Sequence, residues 1–223
     1  LKTDSLTGVT NAESGYTTAD SIKTYQALGY TLVSDDTNGA KVVFDNEDGK
    51  DQAFKVKLSH GTITVTEEKP GKPGEPVDPD NPDGPKYPDG TDKASLGKDV
   101  VRTITYKMAD GSKAPEGTSQ TLHFTASKVI DKVTGKVLET ETKWSANQDF
   151  KDVDSPSVKG YTPDPKTVSN KNVAHDAKDI DVVVTYNADA QKASVTYVDE
   201  TTGKTLKTDS LTGVTNAESG YTT

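Results

Sequence analysis

The 223-residue chain has no cysteine, one methionine, one tryptophan and only 6% aromatic residues. Without thiols there is no disulfide staple, no zinc–thiolate cluster and no thiol nucleophile, so stability has to come from packing and β pairing. Apolar residues make up 30% of the chain against 27% charged, too lean for one large core and suited to two or more small ones. No apolar run approaches the ~18 residues of a membrane helix, and no signal peptide or sorting signal is visible. The segment is therefore expected neither to span a bilayer nor to carry its own address. Positive charge is also short: 26 Lys and Arg stand against 35 Asp and Glu, for a net charge of −9. Nucleic acid and anionic membranes are poor partners for such a surface, and the acidity reads as solubility.

What is present is repetition. Leu1 to Thr18 (LKTDSLTGVTNAESGYTT) recurs without a change as Leu206 to Thr223, at an offset of 205 residues. The chain thus covers a little more than one period of a tandem array, and both its ends fall inside a repeating unit.

Prolines at 70, 73, 76, 79, 82, 85 and 88 keep a strict period of three. That is the polyproline II period, and a fully extended run would span about 55 Å as a semi-rigid spacer. No basic anchor flanks it, as a ligand for a proline-recognising domain would require.

The spacer, 67–95, divides the unit into a small domain, 1–66, and a larger β-rich domain, 96–189, with 190–223 as the first hairpin of the next small domain. In the small domain Thr18 is placed as N-cap, Asp20 lies in the first turn, Ile22, Tyr25 and Leu28 recur on one helical face, and Gly29 ends the helix. Strands are expected at Leu32–Val33, Val42–Phe44 and Phe54–Leu58. In the larger domain alternation predicts strands over Val101–Tyr106, Gln120–Asp131, Gly135–Trp144 and Ile180–Tyr186, with turns at Met108–Ser112 and Lys132–Gly135. Asp131-x-x-Thr134-Gly135-Lys136 is repeated as Asp199-x-x-Thr202-Gly203-Lys204, two hairpins whose glycine supplies a positive φ. The fold class is mostly β with one short helix (α+β): a β-grasp-like, ubiquitin-like small domain in tandem with a larger β domain, in an elongated rod.

Chemistry-bearing constellations are few. His60, His123 and His175 are isolated in sequence, with no partner at ligand spacing, so no zinc site and no nucleophile activation is expected. No nucleophile elbow or phosphate loop occurs, and paired carboxylates are frequent by chance in so acidic a chain. The chain reads as non-enzymatic. Asp45–Asp51 and Asp78–Gly84 cluster oxygen ligands of the kind calcium takes, but without EF-hand spacing; they read as solvated turns, with calcium the one cofactor left open. Trp144 reads as a core or rim residue rather than a sugar platform, and no residue is assigned to ligand binding.

The phrases ASVTYVDETTGKTL, GYTT, GYTLVSDD and QAFKVKL, followed by VVRTITYKMADG, DKVTGKV, KGYTPDP and IDVVVTY, resemble in order and spacing the mucus-binding repeats of lactic-acid-bacterial surface proteins. The resemblance covers essentially the whole chain. It implies an extracellular, cell-wall-anchored adhesin repeat that binds mucin glycans through weak multivalent contacts. For some repeats it implies immunoglobulin binding, for which a sheet edge or the helix face around Lys23 and Gln26 is the candidate surface. A passive stalk is the remaining alternative.

The register of the repeat carries one further expectation. The strand Ala193–Glu200 precedes LKTDSLTG in the array, so the small domain starting at Leu1 lacks its first strand. Head-to-tail association is then expected, with Val195 and Tyr197 of one chain completing the small domain of another.

Overall fold

The computed structural model describes residues 1–47 and 49–222. In chain order its elements are α1 (Ala19–Ala27), β1 (Tyr30–Asp35), β2 (Val56–His60), β3 (Thr62–Thr66), α2 (Lys93–Leu96), β4 (Gly97–Met108) and β5 (Thr118–Asp131). A 3₁₀ turn at Glu139–Glu141, β6 (Lys143–Trp144), β7 (Val153–Asp154), β8 (Tyr161–Asp164), β9 (Thr167–Val168), β10 (Ile180–Ala188), β11 (Ala190–Val198) and β12 (Thr205–Val214) follow. Two compact units result: Leu1–Lys98 with Thr125–Ser145, and Asp99–Phe124 with Ala146–Thr223. This grouping differs from a linear division of the chain, because β3 pairs antiparallel with the C-terminal half of β5, drawing residues 125–145 to the N-terminal part.

The first unit holds α1 and the antiparallel β1–β2 pair. Gly29 follows the helix at φ 92°, as its stop position requires. Thr18 does not cap through its side chain; it is itself helical at φ −76°, and its Oγ1 donates to Asp35 Oδ2 at 2.6 Å. The Asp35 carboxylate at the end of β1 outcompetes the helix's own N–H groups for this hydroxyl. Val42–Phe44 form no full strand, only a bridge from Val43 to Glu13 flanked by backbone hydrogen bonds to residues 11–16.

The proline run departs most from expectation. It is not an extended spacer but folds back on itself: the Gly71 N–H donates to Thr91 O at 2.9 Å, Gly74 to Tyr87 O at 3.0 Å, Val77 to Pro85 O at 2.8 Å, and Tyr87 to Glu75 O at 2.9 Å. A three-residue proline period leaves two N–H donors per turn, enough to tie two arms together. Val77 is buried, and with Val65, Leu96, Ala126 and Ile130 it forms this unit's core, with Ile63, Tyr87 and Trp144 packed around it. The arms meet at Gly71, where a Cβ would lie 2.6 Å from the Tyr87 ring and 2.8 Å from Thr91 Oγ1.

In the second unit β10 lies between β4, to which it runs parallel, and β8, to which it is antiparallel. The even-numbered residues of β4 from Val100 to Met108 are buried, as period-two alternation requires. Ile104, Tyr106, Met108, Tyr161, Val168, Val184 and Tyr186 make the core. Arg102 interrupts the apolar series. It is 0% exposed, lies 4.7 Å over the Phe150 ring, and donates to Gln120 Oε1 at 2.9 Å, Lys151 O at 2.7 Å and Asn170 Oδ1 at 3.2 Å. Burial lowers its pKa, opposed by the Asp152 charge.

The expected strand over Gly135–Trp144 is broken into a bridge at Val137, the 3₁₀ turn and β6. The two Asp-x-x-Thr-Gly-Lys turns are alike: Gly135 N–H donates to Asp131 O at 2.8 Å and Gly203 N–H to Asp199 O at 2.7 Å, with the glycines at φ 71° and 69°.

β11 and β12 form a two-stranded antiparallel hairpin. It is anchored within its own chain, through Thr215 to Asp189 and through Asn216 to Tyr161.

Candidate functional site

α1 packs so lightly that none of its nine residues is buried. Beside its C-terminal turns lies the tip of the folded proline arm, where Asn81 N–H donates to Asp78 O at 3.0 Å and Gly84 N–H to Asn81 O at 3.0 Å. Asn81 Nδ2 reaches Ala27 O at 3.4 Å, tying tip to helix. Gly84 makes this approach feasible, since a Cβ there would sit 2.6 Å from Asn81 Nδ2.

Between helix and tip is an open groove of about 420 Å³ lined by Lys23, Thr24, Ala27, Leu28, Asp80 and Asn81. Leu28 is 47% exposed, and with Ala27 it gives the groove an apolar floor. Lys23, Asp80 and Asn81 supply a cationic donor, an anionic acceptor and an amide that both donates and accepts. The Thr24 hydroxyl is committed to Asp20 O at 2.8 Å. The groove therefore presents an apolar floor with polar and charged groups on its rim. Of the two helix residues singled out by sequence, Lys23 lines the groove and Gln26 does not. Asp80 and Asn81 were legible only as an acidic turn, because their approach to the helix depends on the proline arm folding back.

Histidines that stand alone in the sequence gain partners once the chain folds. His60 Nδ1 lies 2.6 Å from Asp131 Oδ2, and the ring stacks edge-on to Tyr30 at 5.2 Å; His123 Nδ1 lies 2.6 Å from Asp99 Oδ1. Burial pushes the Asp131 carboxyl up, but His60 and the N–H groups of Thr134 and Val133 outweigh it, and its pKa falls below the ordinary value. Asp131 thereby joins the end of β2 to the turn after β5, a structural pairing of residues 71 positions apart.

Among the described residues no three His, Asp or Glu side chains gather as a metal site would need. In the Asp45–Asp51 cluster, Asp45 Oδ1 accepts from Glu47 N–H at 3.2 Å; Asp48 lies outside the described residues. In the second cluster Asp78 Oδ1 accepts from Asp80 N–H at 3.0 Å. Trp144 pairs with Ala126 and packs on the first unit's core. Among the described residues no helix is long and apolar enough to cross a membrane.

The chain is similar to known proteins over most of its length. The Muc B2-like domain family matches residues 91–190, and the Mucin binding domain family matches residues 1–60 and 191–223. The type 2 repeat of the mucus binding protein MUB from Lactobacillus reuteri is 31% identical over 85% of this chain and 91% of its own, with a TM-score of 0.43. The structure called Mub-RV is 27% identical over 83% of this chain and 89% of its own, with a TM-score of 0.54. The MucBP domain of an adhesion protein from Pediococcus pentosaceus is 35% identical over 41% of this chain and 98% of its own, with a TM-score of 0.34. No curated protein matches.

Proposed function

Because the chain belongs to the family of bacterial mucus-binding repeats, we propose that it is an extracellular adhesin repeat that holds mucin glycoproteins by weak contacts to their glycans. The supporting observation is the groove between α1 and the proline tip, with Leu28 as floor and Lys23, Asp80 and Asn81 at its rim. So open a groove buries little of a sugar, and each copy binds weakly. An array compensates, since effective concentration raises avidity by about 10² to 10⁴ with no new contact. The parent protein would present this array from the cell wall.

The test is retention of the chain on immobilised mucin, before and after periodate cleavage of the glycans. Retention is expected to fall on periodate treatment, and to fall equally for Leu28→Asp and Asn81→Ala on intact mucin. Retention that survives periodate would overturn the glycan reading. Retention that is periodate-sensitive but indifferent to both substitutions would move the site elsewhere.

Immunoglobulin binding is the second reading, favoured by the absence of any buried residue in α1, which leaves the Lys23–Gln26 face open to a protein partner. Titration with immunoglobulin separates the two, because a protein contact saturates and persists when the immunoglobulin is deglycosylated.

A further inference from the structure

A single residue, Asp189, separates β10 from β11. Its N–H donates to Gly160 O at 2.8 Å, its carbonyl accepts from Thr215 N–H at 2.9 Å and Thr215 Oγ1 at 3.3 Å, and its Oδ1 accepts from Thr162 Oγ1 at 2.6 Å. The turn after β12 reaches the same place from the other side of the hairpin. There Gln191 Nε2 donates to Thr215 Oγ1 at 3.0 Å, Asn216 Nδ2 donates to Tyr161 Oη at 3.1 Å, and Tyr161 donates onward to Asp110 Oδ2 at 2.6 Å. Thr215 rests on Gly160, where a Cβ would come within 2.6 Å of Thr215 Cγ2; at φ +81° the position already favours glycine.

These contacts join two family domains. Gly160, Tyr161 and Asp189 lie in the segment matched by the Muc B2-like domain, and Thr215 and Asn216 in the segment matched by the Mucin binding domain. A one-residue connection removes the usual freedom of a linker, and a second attachment at Asn216 removes rotation about it. We infer that Gly160, Tyr161 and Asp189 form a seat for the Thr-Asn turn of the module that follows, and that this seat sets the module's orientation in the array. The turn is shaped before it is seated. In the first copy Asn11 has φ 61°, as does Asn216, and Ala12 N–H donates to Val9 O at 3.0 Å where Ala217 N–H donates to Val214 O at 3.1 Å. Thr10 is exposed where Thr215 is half-buried, while Asn11 and Asn216 are both exposed.

The repeat supplies an internal control, since the same substitution can be made in the copy whose asparagine meets Tyr161 and in the first copy, whose Asn11 N–H donates to Phe44 O. In the full chain, residual dipolar couplings of β10 and of β11–β12 are expected to fit one alignment tensor. Asn216→Ala is expected to speed hydrogen exchange of the Thr215 amide roughly tenfold, the loss of one structural hydrogen bond, while Asn11→Ala leaves it unchanged. Gly160→Val is expected to do more, and Asn216→Ala keeps the test valid if that variant does not fold. Separate tensors for β10 and β11–β12 in the unsubstituted chain would overturn the inference. So would a Thr215 amide that ignores Asn216→Ala or responds equally to Asn11→Ala.

Discussion

Tyr221 Oη donates to Asp209 Oδ2 at 2.7 Å, and in the other copy of the same eighteen residues Tyr16 Oη donates to Asp4 Oδ2 at 2.6 Å. Lys207 and Lys2 pair with these carboxylates at 2.7 and 2.8 Å. The difference lies beyond the copy: Tyr197 Oη is 2.7 Å from Tyr221 Oη. These bonds raise the Tyr221 phenol's pKa, with Tyr197 the largest cause and Asp209 next. Tyr221→Phe is expected to weaken the β11–β12 hairpin, read as faster amide exchange along β12. Tyr16→Phe is expected to leave that exchange unchanged.

Arg102 is buried, and its guanidinium donates to the side-chain oxygens of Gln120 and Asn170 and to the Lys151 carbonyl. Arg102→Ala strands Gln120, Asn170 and the Lys151 carbonyl and empties space beside Phe150. A loss of about 3 kcal/mol is expected in denaturant unfolding. Arg102→Lys is expected to recover little, because one ammonium cannot reproduce the planar fork over the ring.

Asp110 is held well below its ordinary pKa of 3.8, at about 2, by the hydrogen bond from Tyr161 and then those from Ser112. A depressed carboxyl contributes stability that is fully present above its unfolded pKa and lost as pH falls through its folded one. Its contribution to the unit should therefore persist at pH 5 and fade between about pH 4 and pH 2. A carbon-detected NMR titration should place the Asp110 midpoint near 2. Tyr161→Phe should move it back toward 3.8; an unmoved midpoint would remove Tyr161 as the cause.

At Gly71 the two proline arms meet, its N–H donating to Thr91 O at 2.9 Å. Gly71→Ala sets a methyl against Tyr87 and Thr91 and is expected to cost about 1–3 kcal/mol through overpacking. The Tyr87 amide, bonded to Glu75 O at 2.9 Å, is the reporter: its exchange should accelerate. A chain whose 67–95 segment is merely an extended spacer would show no change.

Local geometry was legible in the sequence wherever a short motif determines its own shape. The Asp-x-x-Thr-Gly-Lys turns, the Gly29 helix stop, and the alternation of β4 and β10 all follow from side-chain-to-backbone bonds, positive-φ positions and two-residue sidedness within a few residues. Family membership was legible for the same reason, as an ordered series of such motifs. What a residue meets across the chain was not. LKTDSLTGV is a strand at 206–214, paired with β11, and none at 1–9, because strand formation rests on pairing and not on the nine residues alone. Period-three prolines describe an extended helix until Val77 and Tyr87 find a core to enter, and Asp80 and Asn81 become groove residues only when that arm folds onto α1. His60 with Asp131 and Gly160 with Thr215 lie far apart in sequence. Burial and loop closure, which depend on the whole chain, decided those pairings.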